Sequence, residues 1–232
     1  MVDLSIFTIL SLAAADAVNP CEIAVLTLVL INILIHDPKN LKKVLFAGLA
    51  FSLAIFLTYI VYGVVIIQFF KLVQALAGLR LYIKYGFAVL AIILGLLNIK
   101  DYFSYKPGTI GTEMPMSLRP RMKKLVHSIT SAKGAFFIGI FVTLFLLPCT
   151  MGPYIVAGSI LSVMDLVKTI PWLLIYNLVF VSPMLLITAI VYFGFKKVED
   201  VVTWKDRNIR KLHLIAGILT ILVGIAMIIG WV

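Results

Sequence analysis

Of 232 residues, 62% are hydrophobic and 13% charged, and the mean hydropathy is +1.13. That excludes an ordinary soluble domain and makes the chain an integral membrane protein whose first partner is the lipid bilayer. The formal net charge of +10 does not point to nucleic acid, because the basic residues lie in short connections between apolar runs.

Crossing about 30 Å of hydrocarbon takes about 20 mostly apolar residues, and six segments qualify: 4–35, 44–70, 81–99, 134–164, 170–195 and 212–232. The first contains Ala15-Asp16-Ala17 after an apolar stretch, which looks like a signal-peptidase site. Yet a basic leading region is missing, Asp3 has the wrong sign, and apolar character resumes over residues 23–35. The N-terminus is therefore expected to be retained.

The first and fourth segments exceed one span, and each is interrupted where a proline precedes a cysteine: Asn19-Pro20-Cys21-Glu22 and Leu147-Pro148-Cys149-Thr150-Met151-Gly152-Pro153-Tyr154. A half-helix starting at Pro20 takes Asn19 as N-cap and carries Cys21 and Glu22 in its first turn, close to a capping box. Cys21 then sits at the positive end of a helix dipole, which favours the thiolate. Glu22 reads best as part of the cap, ahead of a proton acceptor for Cys21 or a neutral acid. Asp16 is expected in the outer half of the membrane, at the interface and without a part in the chemistry. At the second site Pro148 and Pro153 bracket Cys149, Thr150 and Gly152, so the backbone there is expected to be unwound against a cavity or partner. Two thiols at equivalent breaks read as one redox couple, closable as a disulfide if the Cα atoms approach to about 4.4–6.8 Å. No metal and no cofactor is expected for it.

Segment three leads into the one long connection, residues 100–133, rich in Pro, Gly and basic residues. It is either a solvated tether or a docking surface and gate. Segment five holds Asn177 and Ser182-Pro183, expected to give polar packing and a kink or to line the site. His36, His127 and His213 read as interfacial histidines, and Trp172, Trp204 and Trp231 as interfacial anchors.

Sixteen of the twenty Lys and Arg residues follow segments one, three and five, whereas Lys71, Arg80, Lys84 and Lys168 lie on the other side. The positive-inside rule then puts both termini outside the cytoplasm of a multi-pass cell-membrane protein. Setting Cys21 on Cys149 aligns Pro20 with Pro148, and an offset one residue larger sets Ile92-Ile93-Leu94-Gly95-Leu96 on Ile221-Leu222-Val223-Gly224-Ile225. The expected fold is an all-α membrane domain over 1–232. Its six transmembrane helices form two inverted three-helix repeats, 1–106 and 107–232, with Pro-broken helices one and four.

With these features the chain resembles the CcdA proteins of cytochrome c biogenesis, which correspond to the central membrane domain of DsbD. The resemblance rests on the six spans in two halves, on Asn19-Pro20-Cys21, and on the double-proline motif from Leu147 to Tyr154. It implies a transmembrane thiol–disulfide oxidoreductase in which Cys21 and Cys149 cycle between dithiol and disulfide. Reducing equivalents would pass from cytoplasmic thioredoxin to an extracytoplasmic thioredoxin-like protein, and Pro20, Pro148 and Pro153 would shape and mobilise the site. Two alternatives stay open: a copper(I) carrier using Cys21, Cys149 and Met151, and a transporter of a small thiol or amino acid.

Overall fold

A computed structural model describes residues 6–17, 20–37, 40–75, 80–104, 120, 124–125, 129, 131–162, 164–194 and 198–229, and among them there are helices and no strand. In chain order these are α1 (Ile6–Ala17), α2 (Pro20–His36), α3 (Leu41–Ala75), α4 (Arg80–Phe103), α5 (Ala132–Leu161), α6 (Leu166–Tyr192) and α7 (Val198–Ile229). Among the described residues three stretches are long and apolar enough to cross a membrane, namely Leu41–Leu72, Val167–Tyr192 and Asp206–Ala226.

α3 shows why such helices form. Val44, Phe51, Ile55, Tyr59 and Ile67 are buried, while Phe46, Leu49, Leu53, Leu57, Val61 and Val65 form an exposed apolar stripe on the opposite face. A helix apolar all round is stable where its outer face meets lipid. Its 35 residues span about 50 Å, more than the hydrocarbon layer is thick. α7 likewise starts at Val198, well before the apolar run, because its polar first turns continue the helix beyond the membrane-compatible part.

The break expected in the first segment is present. α1 ends at Ala17 and Pro20 is the first residue of α2, where its missing N–H costs nothing. The break expected in the fourth segment is not. α5 runs as one helix from Ala132 to Leu161, through Pro148, Cys149 and Pro153. Prolines are tolerated inside membrane helices when neighbours and local adjustment satisfy the freed backbone groups. α6 also carries two, Pro171 and Pro183, without interruption.

The layout is set by four dominant contacts: α4 with α7, α3 with α5, α3 with α6, and α1 with α6. α4 and α7 are antiparallel, with Gly224 beside Ala88 at one end and Gly217 beside Asn98 at the other. At that second end His213 is buried, its Nδ1 2.9 Å from Asn98 Oδ1, rather than at an interface as its sequence position suggests.

Candidate functional site

The interruption between α1 and α2 places two acids in the protein interior. Asp16, next to last in α1, and Glu22, in the first turn of α2, are each 1% exposed. Each accepts one hydrogen bond from a tyrosine far away in sequence. Tyr176 Oη on α6 donates to Asp16 Oδ2 at 3.1 Å, and Tyr59 Oη on α3 donates to Glu22 Oε1 at 3.2 Å.

A third tyrosine joins the two pairs. Tyr154 on α5 donates its hydroxyl to the Tyr59 carbonyl, and Asn177 Nδ2 reaches Tyr154 Oη at 3.4 Å and the Leu173 carbonyl at 2.8 Å. The Tyr154 ring meets those of Tyr59 and Tyr176 edge-on, each with centroids 5.2 Å apart, a favoured aromatic geometry. Five helices thus contribute to one centre. Tyr176 lies ten residues into α6, about 15 Å along the axis, so the centre falls near mid-depth. Gly63 makes room for it, since a Cβ there would stand 2.7 Å from Tyr154 Oη and 2.4 Å from Leu173 Cδ1.

The centre is incompletely satisfied. Asp16 Oδ1, Glu22 Oε2 and Asn177 Oδ1 are buried without a hydrogen-bond donor. Among the described residues neither acid has a basic partner, and ion pairs such as Lys43–Asp37 and Lys168–Asp165 lie elsewhere. Intramembrane carboxyls are costly to keep and mark ion or substrate pathways.

A second feature lies at the start of α5. Leu125, Ile129, Gly134, Phe137, Ile138, Ile140, Phe141 and Leu144 line an open apolar furrow of about 440 Å³. Asn32 Nδ2 of α2 holds its floor through the Ile129 carbonyl at 2.6 Å, and Ser131 caps α5 by accepting from the Gly134 N–H at 3.2 Å. Lys124 and Lys133, both exposed, are the chain neighbours of Leu125 and Gly134. The positive end of the α5 dipole adds to their charge.

The residues singled out in the sequence distribute unevenly over these features. Glu22 belongs to the buried centre, and Asp16 is there too rather than at the interface. Pro153 is buried on α5, one residue before Tyr154. Pro20 and Cys21 open α2, and Pro148, Cys149, Thr150 and Gly152 lie within α5, but the side chains of these six fall outside the described residues, as do Asn19 and His127. A Cys21–Cys149 bridge therefore also lies outside them. Tyr59 and Tyr176 carry no sequence signal beyond being polar-tipped residues in apolar runs. Asn177 and Tyr154 are the two partners already marked in the sequence.

Residues 9–231 match the family described as Sap, sulfolipid-1-addressing protein (SfLAP). No curated protein and no solved structure matches the chain. The family match corrects the resemblance to CcdA and DsbD, and with it the thiol–disulfide exchange and the cytochrome c pathway, and it gives no clear support to a transporter of copper(I), a small thiol or an amino acid. It gives no support to thioredoxin or a thioredoxin-like protein as partner. A proline-started half-helix with a cysteine beside it is a property of backbone at membrane depth, and it does not by itself specify redox chemistry. Matched over nearly its whole length, this chain belongs to the SfLAP family of sulfolipid-1-addressing proteins.

Proposed function

We propose that this protein addresses an anionic lipid amphiphile to its place in the membrane, seating an apolar tail in the α5 furrow and meeting the headgroup with Lys124 and Lys133. The furrow carries this reading: it joins an open apolar wall to exposed basic residues and a helix N-terminus at one end. A sulfolipid, the ligand class in the family's description, pairs long apolar chains with a negatively charged head. Each lysine near an anionic surface contributes about 1 kcal/mol, so the rim distinguishes charged from neutral lipids while the furrow selects for length.

The same reading takes the chain as six spans in two inverted halves with both termini outside. The distribution of Lys and Arg supports the orientation. Two features support the halves: exchanging them maps the α3–α5 contact onto α6–α1 and leaves α3–α6 and α4–α7 in place.

The test is lipid binding to the full chain in nanodiscs, read by native mass spectrometry with a sulfated glycolipid and its desulfated analogue. The sulfated form is expected to bind preferentially, and Lys124→Ala and Lys133→Ala each to reduce that preference about fivefold. Equal binding of the two lipids, unaltered by both substitutions, would overturn it.

A further inference from the structure

The buried centre at the α1–α2 break lies apart from the residues that line the furrow, and among the described residues it holds two buried acids without a basic partner. Asp16 and Glu22 lie on either side of a helix interruption, one near the C-terminal end of α1 and the other in the first turn of α2. The dipole of α2 favours negative charge at Glu22, while that of α1 disfavours it at Asp16. Three acceptor atoms are left over, Asp16 Oδ1, Glu22 Oε2 and Asn177 Oδ1, with Asn177 fully buried, and the Tyr62 hydroxyl of α3 is buried without a partner as well.

Among the described residues the surrounding helices supply no compensating cation. α3 presents Tyr59 and Tyr62, α5 presents Tyr154, and α6 presents Tyr176, all neutral hydroxyls. From α7, Asp206, Arg207, Arg210 and Lys211 are exposed in its polar first half, and His213 is engaged with Asn98 of α4. A carboxylate held this way in low dielectric is stable only when a proton or another cation neutralises it. Broken helices near the midplane whose ends and side chains bind Na⁺ or H⁺ are a recurring device of membrane carriers.

We propose that Asp16 and Glu22 form an exchange site for one monovalent cation, a proton or sodium. Uptake of a proton adds H⁺ to a carboxylate oxygen, and uptake of sodium sets the ion against a carboxylate oxygen in place of the proton. No other bond changes. The site stands on the geometry of the centre alone, so it holds whatever amphiphile the furrow takes.

Infrared difference spectroscopy on the full chain in nanodiscs tests it, reading the C=O band of protonated carboxyls against pH in sodium and in potassium buffer. A band that titrates identically in both buffers identifies the proton. A band that sodium suppresses at fixed pH and potassium does not identifies sodium. In either case Asp16→Asn with Glu22→Gln should abolish the responsive band. Tyr176→Phe and Tyr59→Phe, which leave both acids in place, should displace its midpoint, and these decide the matter even if the double variant does not fold. A carboxyl signal that responds to neither ion, or a responsive band that neither tyrosine variant displaces, would overturn the proposal. Lipid preference is read separately, so failure here leaves the furrow untouched and the reverse also holds.

Discussion

Gly95 of α4 stands against Ile221 of α7, and the same relationship recurs with the helices exchanged. A Cβ on Gly95 would lie 2.5 Å from Ile221 Cγ1 and 2.9 Å from the Gly217 carbonyl oxygen; one on Gly224 would lie 2.8 Å from Ile92 Cγ1 and 3.0 Å from the Ala88 carbonyl oxygen. Contacts that repeat with partners swapped are what the two-fold relation proposed for the halves would give. The offset that sets Ile92–Leu96 on Ile221–Ile225 pairs Gly95 with Gly224, Ile92 with Ile221 and Ala88 with Gly217.

The reciprocity predicts matched consequences. Gly95→Ala and Gly224→Ala each force a methyl against backbone that cannot move aside, costing about 1–3 kcal/mol by overpacking. Gly86→Ala, where nothing lies within 4 Å, is expected to be neutral or slightly stabilising through helix propensity. Unfolding of the three variants in mild detergent checks this, and unequal losses at the two reciprocal sites would remove the two-fold account of the pair.

Tyr176→Phe takes from Asp16 the hydroxyl that donates to it. Leaving a buried carboxyl without that donor costs about 1–3 kcal/mol, more than loss of a surface hydroxyl would. A double-mutant cycle with Asp16→Ala should return a coupling of about 0.5–3 kcal/mol, measured by thermal unfolding. Additive losses would mean that the 3.1 Å contact carries no energy of its own.

Gly63 gives the centre its space. Gly63→Ala pushes on Tyr154 Oη and Leu173 together, so it should cost more than Tyr154→Phe, which removes only the hydroxyl. The ring of Tyr154 keeps its packing in the second variant and loses it in the first. Comparing their melting temperatures checks the order.

Apolar length made most of the helices legible, and Pro20 made the first break legible, because a residue without an N–H starts a helix at no cost. The continuity of α5 through Pro148 and Pro153 was not legible, since it depends on what neighbouring helices supply. Asp16 illustrates the same limit. An apolar run says how deep a residue lies but not which way it faces, and the partner that makes Asp16 interior, Tyr176, is 160 residues away. Glu22 was visible as an odd residue beside Pro20, and its hydrogen bond to Tyr59 on α3 was not. The two cysteines drew attention to the right break and to the wrong chemistry.

That distinction can be tested at adjacent residues, Pro20 and Cys21. If the motif matters for where it interrupts the helix, Pro20→Ala should impair the centre while Cys21→Ser and Cys149→Ser leave it intact. In an uninterrupted helix Asp16 and Glu22, six residues apart, would be turned about 240° from one another and separated by about 9 Å along the axis. They would then point to different helix faces instead of to the joined pairs Tyr176 and Tyr59. Alanine at position 20 removes the obstacle to such a continuous helix, so the cation-responsive carboxyl band is expected to weaken or split in Pro20→Ala. The serine variants should keep both that band and the preference for the sulfated lipid, and no mixed disulfide with thioredoxin should accumulate. Loss of lipid preference in either serine variant would show that the thiols contribute more than space beside the proline.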